Sequence, residues 1–95
     1  MKKRKYEMMI ILNPDLEDQE REGIINLIKE KVEEDGTVEN IDEWGKREMA
    51  YEIQHKKEAY YYVINFETTP DIADSLKKTL NLRKKEILRY MIIRK

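Results

Sequence analysis

His55 is the one histidine and Ser75 the one serine in 95 residues, and cysteine is absent. Without a thiol there is no disulfide, thiolate zinc site or cysteine nucleophile. A Ser-His triad or a histidine metal cage has no material either. His55 lies in Gln54-His55-Lys56-Lys57-Glu58, a lysine-bearing stretch with no second ligand beside it. Asp42-Glu43 and Glu33-Glu34-Asp35 put carboxylates side by side, but inside an acidic stretch that reads as a solvated face. Gly23, Gly36 and Gly45 are isolated, so no glycine-rich loop exists to cradle a phosphate. The expectation is a non-enzymatic protein with no cofactor, no metal and no small-molecule substrate.

What remains is the chemistry of charge. Lysine and arginine total 19 against 20 acidic residues, for a net charge of −1. That near balance conceals a segregation: residues 15–43 carry a net −9 and the rest of the chain +8. The basic excess gathers in Lys2, Lys3, Arg4 and Lys5, and in the last thirteen residues, where Arg83, Lys84, Lys85, Arg89, Arg94 and Lys95 face a single acid, Glu86. Clustered cations of this kind neutralise phosphates. Whether they act together depends on whether the fold brings the two chain ends to one place.

Ninety-five residues suit one domain, 1–95, and 40% apolar residues suffice for a core despite 41% charged ones. The apolar run Met8–Leu12 behind the basic start is too short for a signal peptide or a membrane span, so no membrane role is expected and the reading is cytoplasmic. Lys5–Leu12 reads as a strand, with Tyr6, Met8, Ile10 and Leu12 on one side and Glu7, Met9 and Ile11 on the other. Asn13-Pro14-Asp15 is a turn able to cap a helix. That helix has Leu16, Ile24, Ile25, Ile28 and Val32 on one stripe, Arg21 toward water, and Gly36 as a positive-φ stop. Thr37–Ile53 is one long strand with a bulge between Val38 and Ile41 and a bend at Gly45. Residues 54–58 form a hairpin loop, and Ala59–Glu67 is apolar on nearly every position, as a central strand should be. Thr69-Pro70 starts a second helix through a cap and a first-turn proline, with Ile72, Ala73, Leu76 and Leu80 inward. Glu86–Arg94 is the last strand, with Leu88, Tyr90 and Ile92 opposing Ile87, Arg89, Met91 and Ile93.

The order β-α-β-β-α-β is the ferredoxin-like pattern: an α+β fold with a four-stranded antiparallel sheet and two helices on one face. The first and last strands are then antiparallel neighbours, which sets Lys2–Lys5 beside Arg94 and Lys95. With the even-numbered set under the helices, Met9, Ile11, Tyr61, Val63, Met91 and Ile93 face away. An open antiparallel face should be polar. Six apolar side chains there make a patch on the order of several hundred Å², the size of a binding surface. The tyrosines of Ala59–Phe66 suggest base stacking, but the glycine of an RNA-recognition strand is absent and Asn65 falls where its last aromatic belongs, so they read as core.

Gly45-Lys46-Arg47-Glu48-Met49-Ala50-Tyr51-Glu52-Ile53 closely resembles the signature of the bacterial ribosomal small-subunit protein six family, roughly Gly-x-Arg-x-Leu-Ala-Tyr-x-Ile. Tyr6-Glu7, Asn13-Pro14, Glu43-Trp44 and Arg89-Tyr90-Met91 resemble the family at corresponding places, so the likeness spans essentially the whole chain. It implies a ferredoxin-like structural protein of the cytoplasmic ribosome. Such a protein would bind the central domain of the small-subunit ribosomal RNA cooperatively with small-subunit protein eighteen. Carried onto this chain, it makes Gly45 the bend, Arg47 and Arg89 basic contacts, and Tyr51 and Ile53 anchors of the long hairpin. Met49 replaces the usual leucine, a volume-conserving change. Glu52 stands where many members have proline.

The RNA-binding residues are therefore expected among Lys2, Lys3, Arg4, Lys5, Arg47, Arg83, Lys84, Lys85, Arg89 and Arg94. The protein partner is expected on Met9, Ile11, Tyr61, Val63, Met91 and Ile93, with Trp44 beside them, or along the exposed edge of the second strand. The alternative is a ferredoxin-like homodimeric regulatory or small-molecule-binding domain, closed through the same open face.

Overall fold

In the computed structural model, which describes residues 2–95, the elements follow the predicted order. They are β1 (Arg4–Leu12), α1 (Asp18–Glu33), β2 (Gly36–Ile53), β3 (Lys56–Thr68), α2 (Pro70–Asn81) and β4 (Ile87–Arg94). All ladders are antiparallel and the sheet order is β2-β3-β1-β4, so β1 and β3 are central and β4 borders β1.

Helix starts follow local chemistry. Thr69 caps α2 by accepting a hydrogen bond from the Ile72 N–H at 3.3 Å, with Pro70 in the first turn. Asn13 does not cap α1. Its side chain accepts from the Asp15 N–H at 2.9 Å, shaping a turn, and the helix begins three residues beyond Asp15 at Asp18. There the Glu20 carboxylate accepts from the N–H of Glu17, the residue preceding the helix, at 2.9 Å.

The core lies between the helices and one sheet face. Tyr6, Met8, Ile10 and Leu12 of β1 and Tyr62, Ile64 and Phe66 of β3 meet Ile24, Ile25, Ile28 and Val32 of α1 and Ala73, Leu76 and Leu80 of α2. Tyr6 and Phe66 stack with ring centroids 5.5 Å apart. Each fully buried large aliphatic or aromatic side chain contributes about 1.5–3 kcal/mol of transfer free energy.

Five local expectations are corrected. Gly36 is the first residue of β2 and does not take a positive φ; it is small because a Cβ there would fall 2.1 Å from the Glu67 carbonyl oxygen. The hairpin loop is only Gln54-His55, both at positive φ (52° and 64°), the geometry of a primed two-residue turn, and β3 begins at Lys56. Arg21 is not in water: it is half-buried, with its guanidinium 3.7 Å from the Tyr60 ring centroid and donating to the Leu16 carbonyl at 2.6 Å. In β4, Ile87 enters the main core while Leu88 packs on the opposite side, because the β1–β4 ladder slips by one residue between Ile11/Arg89 and Leu12/Ile87. Ile11 is buried on the open side, for a reason given below.

The bulge between Val38 and Asn40 and the second at Gly45, whose φ is +80°, fall where predicted. They bend β2 and turn the far end of the β2–β3 hairpin over the open sheet face. Met49 and Ala59 close on Ile11 there, with Ile53, Tyr61 and Leu88 around them. This second, smaller core is what covers Ile11.

Candidate RNA and partner interface

The ladder between β1 and β4 decides where the chain ends go. Tyr6 faces Arg94, and the Lys95 N–H donates to the Lys5 carbonyl at 2.9 Å. Lys2, Lys3, Arg4 and Lys5 therefore sit at one end of the sheet with Arg94 and Lys95, the convergence expected from topology. Lys3 lies 3.6 Å from Asp35, Lys5 3.8 Å from Glu39, and Lys95 donates to the Asn65 side chain at 2.6 Å. The two ion pairs are solvent-exposed, so each is worth at most about 1 kcal/mol and yields readily to a phosphate.

Arg83, Lys84 and Lys85 are not in that group. They precede β4 and lie at the opposite end of the sheet from Arg94. The last thirteen residues look like one basic segment, but the eight residues of β4 span on the order of 24 Å between its two ends. The segment before β4 is fastened by partners distant in sequence. The Asn13 side chain donates to the Lys85 carbonyl at 3.0 Å and the Asn13 N–H to the Glu86 carbonyl at 2.8 Å. Gln54, at the hairpin tip, donates to the Lys84 carbonyl at 3.2 Å. Arg83 pairs with Glu86 at 3.2 Å, while Lys84 and Lys85 are exposed.

Arg47, on the folded-over hairpin, and Arg89, on β4 against it, occupy a third position. Arg89 donates to the Tyr51 hydroxyl, joining β4 to the hairpin. Arg47 donates to the Trp44 carbonyl at 3.2 Å and holds its guanidinium 5.3 Å from the Trp44 ring centroid.

The open face carries the apolar strip. Met9 pairs with Val63 on one side and Met91 on the other, and Glu7 with Ile93. Met91 and Ile93 are 46% and 51% exposed, and Met9, Val63 and Tyr61 are half-buried. Trp44 is 40% exposed and stacks on Tyr61 at 6.4 Å with the rings 10° from parallel. Six of the seven predicted partner residues thus reach a surface, and Ile11 does not. Sequence reasoning missed the fastening role of Asn13 and Gln54; no local pattern signals a contact across 72 or 30 residues.

Burial pushes the Tyr62 hydroxyl up from its ordinary pKa of 10.0, with the nearby Arg21 opposing. Both groups keep their neutral-pH protonation state, so neither supplies an acid–base function. Among the described residues no group of three His, Cys, Asp or Glu side chains is placed to hold a metal ion, and no helix is long and apolar enough to cross a membrane.

Three comparisons converge. The family model described as ribosomal protein S6 matches residues 5–94. The small ribosomal subunit protein bS6 of Caldanaerobacter subterraneus subsp. tengcongensis is 46% identical over 92 residues, covering 96% of both chains. That of Micrococcus luteus is 44% identical, covering 96% of this chain and 90% of its own. The crystal structure of 30S ribosomal protein S6 from Thermotoga maritima superposes with a TM-score of 0.90 at 31% identity, covering 99% of this chain and 89% of that one.

Proposed function

Because the chain belongs to the ribosomal protein S6 family, and so is a ribosomal protein of the small subunit rather than an enzyme, we propose that it binds the central domain of the small-subunit ribosomal RNA. It does so cooperatively with small-subunit protein eighteen. Cations supply the RNA contacts: Lys2, Lys3, Arg4, Lys5 and Arg94 at the chain ends, Arg83, Lys84 and Lys85 before β4, Arg47 on the hairpin and Arg89 on β4 beside it. The strip of Met9, Val63, Met91 and Ile93, extended by Tyr61 and Trp44, receives the protein partner.

The observation that carries this reading is the juxtaposition of exposed apolar strip and basic rim. Met91 and Ile93 lie on the same strand that ends in Arg94, and that end is hydrogen-bonded to the strand entered through Lys2–Lys5. A side chain such as Ile93 gains nothing from solvent, and its burial on a partner recovers part of the transfer free energy that folding leaves unused. Phosphate contacts orient the protein but are insensitive to sequence and weaken with salt, while burial of the apolar strip on a protein adds a contact that salt does not screen. Acting together, the two make a weak RNA binder into a tight component of a pair. The homodimeric regulatory alternative has no support of this kind, since the family is ribosomal.

The test is a titration of central-domain RNA with the full chain, alone and with protein eighteen, across a salt series. Weak binding alone, at least tenfold tighter binding with the partner, and a steep loss with salt support the reading. Salt-independent binding, or an affinity unaltered by the partner, would refute it.

A further inference from the structure

Apart from Arg47 and Arg89, the structure separates the cations into two groups set at opposite ends of β4, on the order of 24 Å apart. This inference rests on the RNA-binding reading above and concerns how that binding is arranged. One group is Lys2–Lys5 with Arg94 and Lys95; the other is Lys84 and Lys85, with Lys57 exposed on the hairpin nearby. Between them lie Met9, Met91 and Ile93, which have no donor to offer a phosphate, and Arg89, which donates to the Tyr51 hydroxyl of the hairpin.

The second group is built rather than incidental. A free loop bearing two lysines would lose conformational entropy on binding, which lowers affinity. Here the backbone at Lys84, Lys85 and Glu86 is already held by Gln54 and Asn13 through three hydrogen bonds. The Glu86 and Ile87 N–H groups both donate to the Arg83 carbonyl, at 3.1 and 2.8 Å, closing the turn from within. The nearest acid in sequence, Glu86, is engaged by Arg83, and among the described residues no carboxylate lies within ion-pair distance of Lys84 or Lys85. Two like charges are thus held outward with no counter-charge of their own.

We infer that the chain grips two separate segments of ribosomal RNA, one at each end of the sheet, and fixes their spacing at roughly the length of β4, on the order of 24 Å. The rigid sheet serves as a ruler, and the apolar strip between the grips stays available to the protein partner.

The absence of cysteine makes directed cleavage direct. Leu82→Cys, at an 87% exposed position beside the second group, and Thr37→Cys, across from Glu67 beside the first, each receive tethered iron-EDTA. Each is then assembled into the small subunit, with incorporation confirmed by gel. Two non-overlapping sets of RNA cuts are expected; coincident sets, or cuts from one position only, would overturn the inference.

In parallel, Lys84→Gln/Lys85→Gln and Lys2→Gln/Arg4→Gln should each lower the log–log salt slope of RNA binding by about 1.4–1.8, each erasing protections at one segment alone. An unchanged slope for either pair sinks the two-segment arrangement while RNA binding itself stands. A wild-type chain that protects no RNA would instead remove the function on which the inference rests.

Discussion

Met9 of β1 and Met91 of β4 are register partners on the sheet face that the helices leave uncovered, and Val63 of β3 flanks Met9 on its other side. An apolar strip three strands wide therefore stays at the surface even though the chain has a complete core on the other face. The far end of the same sheet face shows what such a strip becomes when covered: Ile11, one pleat along, is sealed by Met49 and Ala59 from the hairpin. One sheet face thus carries both an intramolecular contact and an open one.

That contrast gives the first prediction. Ile11→Ala should lower stability by about 2–4 kcal/mol, since it opens a cavity in the hairpin cluster. Ile93→Ala, at a position already half in solvent, should cost less than about 0.5 kcal/mol. Urea unfolding of the two variants checks both; similar losses would mean that the hairpin does not close over Ile11.

A pair of glycines supplies the second. Gly36→Ala pushes a Cβ against the Glu67 carbonyl and the Thr68 backbone, and should destabilise by about 1–3 kcal/mol or prevent folding. Gly23→Ala, inside α1 with nothing within 4 Å, should stabilise by about 0.5–1 kcal/mol through helix propensity. Thermal unfolding should therefore move the midpoint in opposite directions.

Thr69 gives the third. Its side chain caps α2 and is nearly fully buried, so Thr69→Ala should cost about 1 kcal/mol, whereas Thr69→Ser, which keeps the hydroxyl, should recover most of that loss. Chemical denaturation of both variants decides whether the cap or the methyl group matters.

The fourth concerns alkaline pH. Burial raises the Tyr62 hydroxyl above its ordinary pKa of 10.0, so the unfolded chain releases that proton first. Its contribution to stability is complete below pH 10.0 and is lost as pH rises through the higher folded value. Tyr62→Phe should flatten the decline of stability above that point, as followed by unfolding at stepped pH beside tyrosinate absorbance. An identical decline in the variant would assign it to other groups.

Much of this was legible because the signals were periodic. Alternation in Tyr6–Leu12 and Tyr60–Phe66 placed the core face, and Gly45 marked a bend whose positive φ the fold requires. Failures came where tertiary context overrode a local pattern. Ile87 and Leu88 are chemically alike, so nothing in their types reveals the one-residue slip that sends Ile87 inward. Gly36 looks like a helix stop, yet its smallness serves the approach of a strand distant in sequence. Arg21 reads as a solvent residue until Tyr60 arrives beneath it. The basic residues suffered most: chain order unites Arg83 with Arg94, and a strand's length parts them.

The double variant Met91→Glu/Ile93→Glu probes the central claim, that the open strip carries the protein partner while the cations carry the RNA. Both positions are exposed, so the fold should survive, as far-ultraviolet circular dichroism would show. The decisive measurement is the affinity of this variant for central-domain RNA with and without protein eighteen. The partner's enhancement should fall at least tenfold, well beyond any loss of binding to RNA alone. A variant that keeps the full enhancement would contradict it.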